Sequence, residues 1–167
     1  MTDGRGRDAA DDAGPDVAGL APEASLGFQV AHLRRLLGSE LRRQLEPYTV
    51  APAQFAALLE LFRRDGLTQA ELCVRLDIEQ PTMANTLTRM QRDGLVARAP
   101  DPSDRRRSRI LLTARARALE ADLTHAARAG NTAALRGLDD EQVDEFMRVL
   151  GIMIDNLARQ DHPPGPS

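Results

Sequence analysis

Between Thr68 and Gly94 the sequence sets down two short helices with almost no chain between them. Thr68 opens the first. Glu71, three residues on, completes a capping box, in which a hydroxyl and a carboxylate each satisfy a backbone N–H that the helix leaves free. This helix presents Ala70, Leu72 and Leu76 inward. The link Asp77-Ile78-Glu79-Gln80 is long enough only to reverse direction. Pro81 then takes the first position of the next helix, where its missing N–H costs nothing. Met83, Leu87 and Met90 recur at helical spacing as a buried stripe, and Gly94 supplies the residue that ends the helix. Two short helices joined so tightly read as a helix-turn-helix.

After Gly94 the pattern changes. Leu95, Val96 and Ala97 read as a short strand, Pro100-Asp101-Pro102-Ser103-Asp104 as turn chemistry, and Ile110, Leu111 and Leu112 as the returning strand. Arg105, Arg106 and Arg107 stand at the tip of this two-stranded wing. Upstream, Leu26, Val30, Leu33, Leu37 and Leu41, widened by Phe28 and Leu36, mark one stripe of a helix from about Leu26 to Leu45. A second helix opens near Pro52, buries Phe55, Leu58, Leu59 and Phe62, and closes at Gly66. Downstream, Thr113 caps an Ala-rich helix reaching about Leu135. Asp139 caps a last helix with Gln142 as its reciprocal partner and Leu138 against Val143 as a staple; its stripe is Val143, Phe146, Leu150, Met153 and Leu157.

The expected fold is mainly α, six helices with a small two- to three-stranded β wing. Residues 1–24 read as a disordered acidic arm, 25–50 as an N-terminal dimerisation helix and 51–113 as the winged lobe. Residues 114–160 read as C-terminal dimerisation helices and 161–167 as a flexible tail. The stripes of the first and last helices exceed what so small a lobe covers, so a second copy is expected to cover Leu33, Leu37, Phe146 and Leu150.

Composition narrows the function. With 42% hydrophobic residues but only 3% aromatic and no Trp, the core must be aliphatic, which suits helices. Charge is unevenly placed. Residues 1–24 carry six acids against two Arg, a net of −4; residues 63–117 carry twelve Arg against seven acids, +5; residues 118–167 carry four Arg against nine acids, −5. A basic middle between acidic ends points to a polyanion. All 22 basic residues are Arg. That skew extends beyond the basic segment, so codon bias explains it better than function does. A single Cys73 excludes an internal disulfide framework and a zinc site of several Cys ligands. No apolar run is long enough to span a membrane, and Met1-Thr2-Asp3-Gly4 opens no secretory signal, so a cytoplasmic protein is expected.

On the fourth helix Gln80, Thr82, Asn85, Thr86 and Arg89 form an outward face with no acid between Thr82 and Arg92. Short polar groups of this kind suit base edges and phosphates in a major groove. Five runs, in order, resemble the MarR family: Thr68-Gln69-Ala70-Glu71-Leu72; Ile78-Glu79-Gln80-Pro81-Thr82; Gly94-Leu95-Val96-Ala97-Arg98; Asp101-Pro102-Ser103-Asp104-Arg105-Arg106; and Leu112-Thr113. The Ile-Glu-Gln-Pro and Ser-Asp-Arg-Arg pieces are most similar to its SlyA-like branch. The motifs cover about residues 67–113, the helical layout about 26–158.

The resemblance implies a winged helix-turn-helix dimer with interlocked terminal helices, the fourth helix in the major groove and the wing in the flanking minor groove of double-stranded DNA. The DNA-contacting set is then Thr68, Gln80, Thr82, Met83, Asn85, Thr86, Arg89, Arg98, Asp104, Arg105, Arg106 and Arg107, with Asp104 bracing the wing and Arg106 as the minor-groove finger. Asn85 stands where SlyA-like proteins tend to carry a base-reading Arg, and Ala116 replaces a usual Gly. The family also suggests a small aromatic effector, with His32, Arg35 and Tyr48 as candidate contacts. No cofactor, metal or enzymatic role is expected: His32, His125 and His162 stand apart, and turn chemistry accounts for Asp101 and Asp104. Two alternatives remain, a redox-sensing regulator through Cys73, although a small core residue fits its helix better, and a helical interaction protein that has lost DNA binding.

Overall fold

The structure, a computed structural model, describes residues 25–102, 104 and 107–161. The expectations for the arm (1–24), for Ser103, Arg105 and Arg106 at the wing tip, and for the tail from 162 lie outside the described residues. Within them the order is α1 (Leu26–Leu45), a 3-10 turn (Glu46–Tyr48), α2 (Pro52–Arg63), β1 (Leu67–Thr68), α3 (Gln69–Leu76), α4 (Gln80–Arg92), β2 (Val96–Pro100), β3 (Ser108–Leu112), α5 (Ala114–Ala134) and α6 (Asp140–Asp161). The chain divides inside α1, with residues up to Leu36 as one unit and Leu37–Ser167 as the other. In the first unit Leu26, Phe28, Val30, Leu33 and Leu36 are all exposed.

The second unit owes its core to the winged lobe. Phe55, Leu58 and Leu61 of α2, Leu72 and Cys73 of α3, and Met83, Leu87 and Met90 of α4 meet Leu95, just before β2, and Val96, Ile110 and Leu112 of the sheet. Ala116, Leu123 and Ala126 of α5 close it. Leu61, not Leu59 or Phe62, carries the α2 stripe inward; Leu59 is exposed and Phe62 half-buried. Ala70 likewise faces out, because Cys73 takes the inward place beside Leu72. The sheet runs β1-β3-β2, antiparallel throughout. Leu67 pairs with Ile110, and Val96 with Leu112.

Caps explain the boundaries. Thr68 Oγ1 accepts from Glu71 N at 3.2 Å, and Thr68 N donates to Glu71 Oε2 at 2.7 Å. Thr113 Oγ1 accepts from Ala116 N at 3.2 Å to start α5. Asp139 and Gln142 exchange bonds of 3.0 and 2.9 Å before α6. Pro81 sits one residue further in than expected, since α4 begins at Gln80 with Glu79 as its N-cap. Gly94 ends α4 at φ +67°, and Leu95 N reaches back to Met90 O at 2.9 Å. α6 leaves Phe146, Met147, Val149, Ile152, Ile154 and Leu157 exposed, with Phe146 at 46% and Leu157 at 64%.

Candidate nucleic-acid interface

Helix α4 is held from three sides, and its free side is the candidate reading face. Met83, Leu87 and Met90, each 0% exposed, fix its rotation about its own axis. At its N-terminus Gln69 Nε2 donates to Gln80 Oε1 at 2.9 Å and to Gln80 O at 3.3 Å, bridging the turn between α3 and α4. At its C-terminus the buried Gln54 donates from Nε2 to Asp93 Oδ2 at 2.7 Å, while its Oε1 accepts from Ala51 N at 2.9 Å. Arg92 Nε adds a bond to Asp93 Oδ1 at 2.9 Å, and Arg115 donates to Asp93 O. The Arg92 hydrogen bond, then the one from Gln54, holds the Asp93 carboxyl below its usual range. An ionised anchor therefore ties the end of α4 to α2.

What remains outward is Gln80, Thr82, Asn85 and Arg89, all exposed, with Thr86 half-buried. Thr86 Oγ1 donates back to Thr82 O at 3.0 Å, leaving its methyl and oxygen lone pairs to the outside. Met83 is a correction. It cannot touch a base or a phosphate, because the stripe that buries it is what turns Thr82 and Asn85 outward. Thr68 is a second correction: its hydroxyl donates to Glu71 Oε2 at 2.9 Å and caps α3, so it has no donor left for a phosphate. Arg98 of β2 is exposed, and its Nε donates to Gln91 Oε1 at 3.0 Å, tying the wing's first strand to α4.

The wing closes by Asp101 N donating to Arg107 O at 2.9 Å and Arg107 N to Asp104 O at 2.8 Å. The Asp104 carboxylate lies 3.7 Å from Arg107 Nε. A second brace went unread in the sequence: Arg109 donates to buried Asp101 at 2.9 and 3.5 Å. Each is a local i, i+8 partner only once the hairpin has formed. Gln54 and Gln69 were also missed, since nothing in the spacing of a polar residue tells a strut from a solvated side chain.

The proposed effector residues fall in different units, His32 and Arg35 in the first and Tyr48 in the second. His32 and Arg35 are exposed on the first unit's helix, where the His32 ring lies 6.3 Å from that of Phe28. Tyr48 is half-buried against the core of the second unit. Cys73 is free and buried in that core. Among the described residues no cluster of three His, Cys, Asp or Glu is arranged to hold a metal, and no helix is long and apolar enough to cross a membrane.

Comparison with known proteins agrees with this geometry. A sequence model of the MarR family matches residues 48–107. An HTH-type transcriptional repressor of Mycobacterium tuberculosis is 32% identical over 132 residues, 79% of this chain and 95% of that protein. The crystal structure of a MarR transcriptional regulator from Methanosarcina mazei superposes with a TM-score of 0.73 at 31% identity, covering 80% of this chain and 96% of the other. The repressor CouR, solved on a 23-mer DNA duplex, gives 0.70 at 25% identity over 79% and 94%.

Proposed function

Since the chain belongs to the MarR family, whose members here are transcription regulators and not enzymes, we propose that it is a cytoplasmic repressor binding a palindromic operator as a homodimer. The observation that carries this reading is the acid-free face of Gln80, Thr82, Asn85, Thr86 and Arg89 on a helix anchored at both ends. Such anchoring holds donors and acceptors at fixed positions, which base-edge recognition requires. Arg98 and Arg107 place further positive charge beside it, and Asp104, Arg105 and Arg106 complete the proposed wing contact. That a structural relative binds a DNA duplex supports the same reading.

The exposed apolar side chains support the dimer. On α1 and α6 they are too many for a monomer surface, and a second copy covering exposed Leu33 and Phe146 together with half-buried Leu37 and Leu150 removes them from water. The interface is expected on the order of 2,000 Å². Two-fold symmetry then sets two half-sites about 10 base pairs apart. A small aromatic acid is proposed to release the operator by changing that spacing, with His32, Arg35 and Tyr48 as the residues to vary.

Selection from a random duplex pool tests the central claim. An inverted repeat should emerge, and Asn85→Ala and Arg89→Ala should each change which bases are kept. Equal binding to selected and scrambled duplexes over a range of salt would refute sequence-specific regulation. Titration with a panel of phenolic acids tests the effector separately, since it reads a change in operator affinity of about 5–150-fold.

A further inference from the structure

Beside the reading face lies an open groove of about 790 Å³ between the C-terminal part of α1, the start of α2 and the second half of α4. Its charged walls are Arg42, Arg43 and Glu46 on one side and Arg89, Arg92 and Asp93 on the other. Arg43 is paired with Glu40, and Arg92 with Asp93. Arg42 and Arg89, both exposed, have no ion pair among the described residues. Two guanidiniums without an ion pair thus line one groove, beside the carboxylate of Glu46, which has none among the described residues either, and Thr86 and Arg89 belong both to the groove and to the reading face.

The shared residues decide what the groove meets. A helix about 10–12 Å across fills a major groove about 12 Å wide, so the bordering sugar–phosphate strands press against its flanks. One flank of α4 is this groove. Resting on the DNA-binding reading above, we propose that the groove seats the DNA backbone on that flank, with Arg42 of α1 and Arg89 of α4 contacting its phosphates. Arg42 then adds affinity without sequence preference, from a helix otherwise assigned to dimerisation. A free organic anion has the same charge, but it gains nothing from the groove's continuity with α4.

The test measures the full-length protein's affinity for a mixed-sequence 30-base-pair duplex against NaCl concentration. Each phosphate contact contributes about 0.9 to the slope of log affinity against log salt. Arg42→Ala should lower the slope by about 1 and weaken binding several-fold, equally on every duplex, with an unchanged thermal midpoint. Arg42→Lys should restore the slope. A methylphosphonate scan should find a phosphate whose neutralisation costs wild type but not Arg42→Ala. If wild type binds with steep salt dependence and Arg42→Ala keeps its slope, the groove is not a backbone seat. A variant that keeps the slope but loses benzoate binding would mark a small-anion site and overturn the proposal equally. Absence of salt-dependent binding by wild type would instead refute the DNA-binding reading itself.

Discussion

Asp65 lies at the junction of three elements, and its removal separates a buried backbone bond from a surface charge pair. Its Oδ1 accepts from Leu112 N and from Gly66 N, both at 2.9 Å, while Arg117 of α5 donates to Oδ2. In Asp65→Ala the three losses differ. Gly66 N keeps a second acceptor in Ile110 O at 3.1 Å. The Arg117 pair joins side chains 57% and 26% exposed, and such pairs contribute about 0–1 kcal/mol. Leu112, however, is 8% exposed, and a buried N–H left without a partner costs about 1–3 kcal/mol. The total is about 1–4 kcal/mol, mostly from one amide. Asp65→Asn retains the Oδ1 acceptor and should cost at most about 1 kcal/mol.

Urea unfolding at fixed protomer concentration measures both variants, since the proposed dimer would make stability depend on concentration. At about 2–4 °C per kcal/mol for a chain of this size, Asp65→Ala should melt about 2–16 °C lower. The Leu112 amide should exchange faster in Asp65→Ala and not in Asp65→Asn. Equal cost for the two substitutions, or protection of Leu112 unchanged in Asp65→Ala, would refute the assignment of the loss to that amide.

Three further outcomes follow from particular contacts. Gln69→Ala frees Gln80 at the start of α4, so operator selection should relax at the positions Gln80 reads while affinity for mixed-sequence DNA stays within about twofold. Phe146→Arg places a charge among the exposed apolar side chains of α6, and sedimentation at micromolar concentration should show dissociation to monomer; an intact dimer would place the interface elsewhere. Hydrogen bonds from Arg43 and then Gln44 lower the Glu40 carboxyl from the usual 4.5 to about 2. A depressed folded pKa means the contribution is present above about 4.5 and lost as pH falls toward 2. Glu40→Gln should flatten the stability–pH curve in that window, and an NMR titration placing Glu40 near 4.5 would contradict the bonds to Arg43 and Gln44.

Periodicity and caps were legible in the sequence because each is a local rule. The bounds of α1, the boxes at Thr68 and Asp139 and the stop at Gly94 all follow from residues within four positions of one another. Longer-range partners were not legible. Asp65 to Leu112 and Gln54 to Asp93 span 47 and 39 residues, and no spacing marks a polar side chain as one that will close such a distance. Met83 is a different case: its register with Leu87 and Met90 already marked it as buried, and only the family resemblance placed it among the DNA contacts. On α2 the apolar residues outnumber the inward positions, so Leu59 and Phe62 matched a stripe that packing gave to Leu61. Which residues of α4 face outward was therefore readable; what holds the helix still was not.

Between the wing and α5 the chain allows a single residue, Thr113. Its hydroxyl donates to Gly94 O at 2.7 Å, so the end of the reading helix, the last strand and the first turn of α5 share one side chain. Helix α5 has 21 residues and is about 30 Å long at 1.5 Å per residue. Such a rod turns a small rotation into a large displacement, about 0.5 Å at the far end for each degree. With no slack at Thr113, a tilt of α5 would be expected to carry α4 and the wing with it. A tilt of about ten degrees would move the lobe by about 5 Å, more than one 3.4 Å base-pair step, while leaving every bond that shapes the reading face intact. In the proposed dimer, gearing of this kind would let the spacing between half-sites change without loss of what each half reads.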